Sequence, residues 1–201
     1  MRKFIWLLLP AFLMGCGFTA EPKWAPDEEV SRATYVHEGP KYLSLYTVIN
    51  LVSGSGAHSG LLVNGSQRVM FDPAGTWWNP RIPERNDVHF GMSPAAVDYY
   101  EDYHTRKTYY TVVQTIEVSP EVAEMALREV QAYGAVPKAM CSNSVSTILS
   151  RLPGFESMRT SWFPNATMRA FAKLPGVTTR ELYDDDDDDN SSVLAGQTTG
   201  Q

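Results

Sequence analysis

An Asn-Gly pair at residues 64 and 65 stands between two short apolar runs, and no other feature limits the folds open to this chain so sharply. Asn-Gly tolerates the left-handed backbone of a tight β-hairpin, so residues 58–63 and 68–71 are read as adjacent antiparallel strands. Residues 42–53, rich in β-branched and aromatic side chains, form a strand before them and end in a flexible Gly54-Ser55-Gly56. Pro73 closes the third strand, because proline has no N–H to give a ladder.

Downstream the pattern changes. Ser93-Pro94 and Ser119-Pro120 each set a capping residue before a proline at the first helical position. The first helix runs through Tyr99, Tyr100 and Tyr103. The second presents Val122, Met125, Ala126, Val130 and Tyr133 on one face and stops at Gly134. Residues 108–118 form a strand between them. A third helix spans 141–152, with Val145, Ile148, Leu149 and Leu152 on one side and Pro153-Gly154 as its stop, and a short fourth spans 165–174. Strands first and helices later imply an α+β fold, an antiparallel sheet packed by helices on one side. Residues 74–91 read as a long polar loop. Its Trp77-Trp78 either lines a groove, rests on a lipid surface or is half-buried in the loop. The tyrosines at 99, 100, 103, 109 and 110 read as core and sheet-face packing.

The ends divide from the body. Residues 4–14 are apolar behind Arg2 and Lys3, too short for a bilayer span of roughly 20 residues and suited to the core of a secretory signal peptide. Leu13-Met14-Gly15-Cys16 resembles the lipobox of bacterial lipoproteins, which implies acylation of Cys16 and membrane attachment through lipid chains. The organisation is then a signal peptide at 1–15, a lipidated tether at 16–34, one domain at 35–183 and a tail at 184–201. The tail opens with six aspartates followed mainly by small polar residues, so it is expected to be disordered; calcium binding is the alternative, without loop spacing of the EF-hand kind. The chain carries a net charge of −6, and without leader and tail the body is close to −2, with no basic stripe. That excludes nucleic acid as a natural partner.

Cleavage before Cys16 leaves Cys141 as the one thiol of the body, so no internal disulfide forms, and an unpaired thiol in an oxidising compartment needs a reason. A thiol attacks carbonyl carbon as thiolate and needs help to ionise near neutral pH. The start of a helix supplies free N–H groups and a favourable dipole. A histidine within reach supplies the base, and His58 is the candidate. Asp72 is nominated to orient its ring. With a three-residue loop at 64–66 the two stand directly opposite on one face; a four-residue loop turns Asp72 away. Asn86, Asp87 and Asn143 are the substitutes. The plainer readings are a buried apolar thiol, a strand histidine bonded to a carbonyl, and an Asp-Pro turn starter. His37, His89 and His104 have no ligand types at metal spacing and read as surface residues. No metal or cofactor is expected.

His58-Ser59-Gly60-Leu61-Leu62-Val63 on a strand, with Cys141-Ser142-Asn143-Ser144-Val145 opening a later helix, resembles the circularly permuted branch of the NlpC/P60 papain-like superfamily. The resemblance covers residues 42–152. It implies a papain-like fold with Cys141 as nucleophile, His58 as base and Asp72 as third member, acting by hydrolysis or acyl transfer on peptide, amide or acyl-ester bonds. The backbone N–H groups at the Cys141 helix start would hold the oxyanion. Met140-Cys141-Ser142-Asn143 stands where peptidoglycan-cleaving members carry Asp-Cys-Ser-Gly. Gly17, in place of an inner-membrane retention aspartate, implies the outer membrane, facing the periplasm. The rival reading is a non-catalytic envelope module that binds a ligand or partner; a weaker third has the cysteine in a mixed disulfide with a partner.

Overall fold

The computed structural model describes residues 19–199; the leader and Cys16 lie outside them. The fold is α+β. Its centre is one seven-stranded antiparallel sheet of β1 (Tyr42–Asn50), β2 (Gly56–Asn64), β3 (Arg68–Phe71), β4 (Glu84–Arg85), β5 (Val88–Phe90), β6 (Tyr109–Glu117) and β7 (Thr178–Leu182), ordered β4-β5-β3-β2-β1-β6-β7. Among the described residues six helices accompany it: α1 (Asp27–Ala33), α2 (Pro94–His104), α3 (Pro120–Tyr133), α4 (Cys141–Leu149), α5 (Pro164–Phe171) and α6 (Ser191–Thr199). Among the described residues no helix is long and apolar enough to cross a membrane.

The central strands alternate between two cores. Leu43, Leu45, Leu61, Val63, Val69 and Phe71 face one way and pack with Ala126, Val130, Val145, Ile148 and Phe171 of α3, α4 and α5. Tyr46, Leu62, Met70 and Val113 face the other way and pack with Ala96, Tyr100 and Tyr103 of α2, beside Val193 and Leu194 of α6. The sheet is therefore covered on both faces, which corrects the one-sided packing expected. The reason is local: β3 is buried along its whole length, β1 at all but its end residues and β2 from Ser59 onward, as sandwiched strands are, rather than alternating buried and solvated. Burying one Leu or Phe side chain contributes roughly 1.5–3 kcal/mol, so neither face could be left wet.

The hairpin register differs from the expected one. Asn64 pairs with Arg68 and the loop is residues 65–67. Asn64 is a ladder residue because its amide donates to Pro40 O, while Glu124 of α3 holds the loop through Ser66 N and Ser66 Oγ. β1 stops at Asn50 because the Asn50 side chain accepts from Val52 N and Ser53 N and turns the chain.

The ends are more ordered than composition indicates. Residues 23–34, expected as tether, dock on the body: Ala25 N donates to Glu84 O, Asn86 N to Lys23 O, and Val30 packs on the main core. The acidic tail also folds back. Lys107 N donates to Asp186 O, Thr108 Oγ1 to Asp188, and Gln197 on α6 bridges Trp77 Nε1 and Tyr99 O at 3.1 and 2.9 Å. Charge repulsion along the aspartates is offset by Lys107, which pairs with Asp187 at 3.0 Å, and by Arg106 on Asp188 O.

Candidate functional site

His58 lies two residues into β2, and Asp72 follows β3. In the observed register Asp72 falls opposite Gly60, diagonal to His58 and on its face. The two meet: His58 Nε2 donates to Asp72 Oδ1 at 2.6 Å, with the His58 side chain 16% exposed and that of Asp72 fully buried. The diagonal reach needs Gly60, because a Cβ there would sit 2.5 Å from the Tyr100 hydroxyl. That hydroxyl donates to the same Asp72 Oδ1 at 2.7 Å. Gly75 covers the carboxylate from above, and a Cβ on it would overlap Asp72 Oδ2 at 1.7 Å.

Cys141 opens α4, whose N-terminus carries no side-chain cap, so its first-turn N–H groups are left for other acceptors. Residues in the left-handed region flank both segments, Ala139 before Cys141 (φ 66°) and Ala74 after Asp72 (φ 56°), a strain of the kind that recurs at functional sites. Burial pushes the Cys141 thiol up, but hydrogen bonding and charge from His58, with the N–H groups of Ser59 and Ser142, bring it below its ordinary value. Burial likewise pushes His58 down, and the Asp72 carboxylate outweighs it, raising the imidazole to about 10. Asp72 itself is disfavoured as an anion by burial, yet His58 holds it well below the usual carboxylate range. The electrostatics favour a thiolate–imidazolium pair. Nδ1 of His58, the ring nitrogen not engaged by Asp72, is the atom left to exchange a proton with sulfur.

The structure thus brings together Cys141, His58 and Asp72. It does not bring in the substitutes: Asp87 is buried, accepts from Val136 N at 2.7 Å and is pushed up to about 6 mainly by burial, while Asn86 sits by Lys23. Asn143 is half-buried on α4.

Three further residues escaped the sequence reading. Tyr100 was read as packing, and it is that as well. His89 and His104, expected on the surface, are 2% and 6% exposed. His104 stacks on His58 with ring centroids 5.5 Å apart, and its Nδ1 donates to Tyr100 O at 2.8 Å. Burial lowers His104 to about 4, so a neutral ring lies against the charged one. The sequence signal for this was the helical spacing of Tyr100 and His104, one turn apart on α2. Trp77 is buried against His89, whereas Trp78 is 45% exposed.

A cleft of about 320 Å³ opens over His58, lined also by Ala74, Gly75, Thr76, His104 and Arg106. Cys141, 8% exposed, is not in its lining. His58, Asp72 and His104 offer ligand-type atoms within 4.8 Å of one another, as do Asp102, Asp184 and Asp186. In the first group Asp72 Oδ1 is taken by His58 and Tyr100, while Oδ2 is buried with no hydrogen-bond partner.

Comparison with known proteins returned no matching family model, no matching curated protein and no matching solved structure.

Proposed function

We propose that this chain is a lipid-anchored thiol hydrolase or acyltransferase of the bacterial cell envelope, with a permuted papain-like domain of the NlpC/P60 kind. The observation that carries the reading is His58 standing between Cys141 and the buried Asp72, with the imidazole raised and the thiol lowered.

In this reading the Cys141 thiolate attacks the carbonyl carbon of a peptide, amide or acyl ester, and the carbonyl π pair moves to oxygen. N–H groups at the uncapped start of α4 receive that oxyanion. His58, protonated and held by Asp72, gives its Nδ1 proton to the departing amine or alcohol as the tetrahedral adduct collapses to a thioester. Water, or an acceptor alcohol or amine, then gives its proton to His58 and releases the acyl group. Cys16 supplies the anchor, and the outer membrane, viewed from the periplasm, is the location implied.

A second reading, a binding module that keeps the fold, draws on the low exposure of Cys141 and its absence from the cleft lining. The two separate on acyl-enzyme trapping. After brief exposure to p-nitrophenyl acetate and acid quench, intact mass and peptide mapping should place one acetyl group on Cys141, lost in Cys141→Ala and strongly reduced in His58→Ala. No adduct, or one equally abundant in His58→Ala, supports the binding module.

A further inference from the structure

We propose that the site-bearing end of the domain docks on the lipid bilayer, with Leu51, Val52, Trp162 and Phe163 entering the boundary between headgroups and acyl chains. This rests on the reading of Cys16 as the lipid anchor.

These four side chains are 46%, 91%, 56% and 72% exposed. They come from two loops joined into one rim: Asn165 Nδ2 donates to Gly54 O at 2.8 Å, and a Cβ on Gly56 would meet Pro164 Cβ at 2.6 Å. Residues 51–57 and 160–166 contain no charged side chain. A protruding, uncharged rim with an indole and a phenyl ring matches the chemistry of the membrane interface. The rim adjoins the site, because Gly56 is two residues from His58.

A second, independent observation fixes the orientation. Thr19 and Glu21 share a recess with Ala74, Gly75 and Thr76, which also line the cleft over His58. Residues 23–34 are docked on the body, so the chain between anchor and docked segment is at most the stretch from Cys16 to Lys23, about 25 Å when fully extended. β3 runs antiparallel to β2, which puts residues 72–76 at the same end of the sheet as Gly56 and the rim. A bilayer held at Cys16 therefore lies beside this end. Asp186 to Asp188, fastened near Arg106 and Lys107, also lie at this end and disfavour anionic headgroups, so the surface it fits is zwitterionic.

The test uses the full chain purified from bacterial membranes, with intact mass reporting acylation of Cys16. It is reconstituted into phosphatidylethanolamine–phosphatidylcholine vesicles carrying brominated acyl chains, which quench nearby indoles. Quenching is expected in the wild type. It should be mostly lost in Trp162→Phe and in Val52→Glu/Phe163→Glu, while both variants still float with the vesicles through the anchor. Equal quenching in all three proteins, or none in the wild type, overturns the docking. If mass shows Cys16 unmodified, the anchor reading fails separately, and the same three-way comparison on added vesicles decides the rim.

Discussion

His58 Nε2 reaches Asp72 Oδ1 at 2.6 Å although the β2–β3 register, whose last pair is Leu61 with Phe71, when continued by one residue sets Asp72 opposite Gly60 and not His58. A slip of two in the register sum keeps both residues on one face and makes them diagonal neighbours. The contact closes because Gly60 has no side chain and Tyr100 fills the space it leaves.

The charge state of the pair gives a pH prediction. His58 is raised from 6.5 to about 10, so the stability its protonated form contributes is complete below pH 6.5 and is lost as pH rises through about 10. Asp72 is lowered from 3.8, so its contribution is present above that value and lost as pH falls below it. In NMR titration His58 should titrate well above neutral while His104 shows no step between pH 6 and 9. Asp72→Asn should bring the His58 step down toward 6.5 and cut Cys141 reactivity near neutral pH, because the imidazolium that holds the thiolate is then less populated. An unmoved His58 step would separate the pair.

Tyr100 and Gly60 should behave as one unit. Tyr100→Phe removes a buried donor to a carboxylate, a loss of about 1.5–3 kcal/mol in denaturant unfolding. Gly60→Ala pushes the same hydroxyl aside and should cost about 1–3 kcal/mol. Placed on Tyr100→Phe, Gly60→Ala should cost clearly less, because its closest clash is with the missing oxygen. Additive losses would refute the shared contact.

The tail contributes through Gln197, 3% exposed. Gln197→Ala leaves Trp77 Nε1 buried without its acceptor and should cost about 1–3 kcal/mol, with a change in tryptophan emission on unfolding. A neutral substitution would mean that α6 is not held in solution.

Much of this architecture was legible in the sequence. The Asn64-Gly65 hairpin, both Ser-Pro helix starts and the apolar faces of α3 and α4 declared β1 to β3, β6 and α2 to α5 because each obeys a local rule. Cys141, His58 and Asp72 were legible for a like reason, each being an odd residue type at an element start or end. What stayed hidden depends on contacts distant in sequence. β7 is Thr-Thr-Arg-Glu-Leu, exposed along most of its length, and only pairing with β6 makes it a strand. β4 and β5 are too short to show a period. His89 and His104 looked like loop residues because nothing local shows that Asp72 is their neighbour. The tail reads as disordered until Lys107 and Trp77 supply partners from far along the chain.

The most direct test of the coupled thiol is the rate of iodoacetamide alkylation of Cys141 across pH 5 to 10, in wild type and in His58→Ala. A thiolate held by an imidazolium should react well below pH 8 and much faster than free cysteine at neutral pH, and His58→Ala should move the profile up toward that of an ordinary thiol. Identical profiles in the two proteins, or a thiol that does not react until the protein unfolds, would contradict the account.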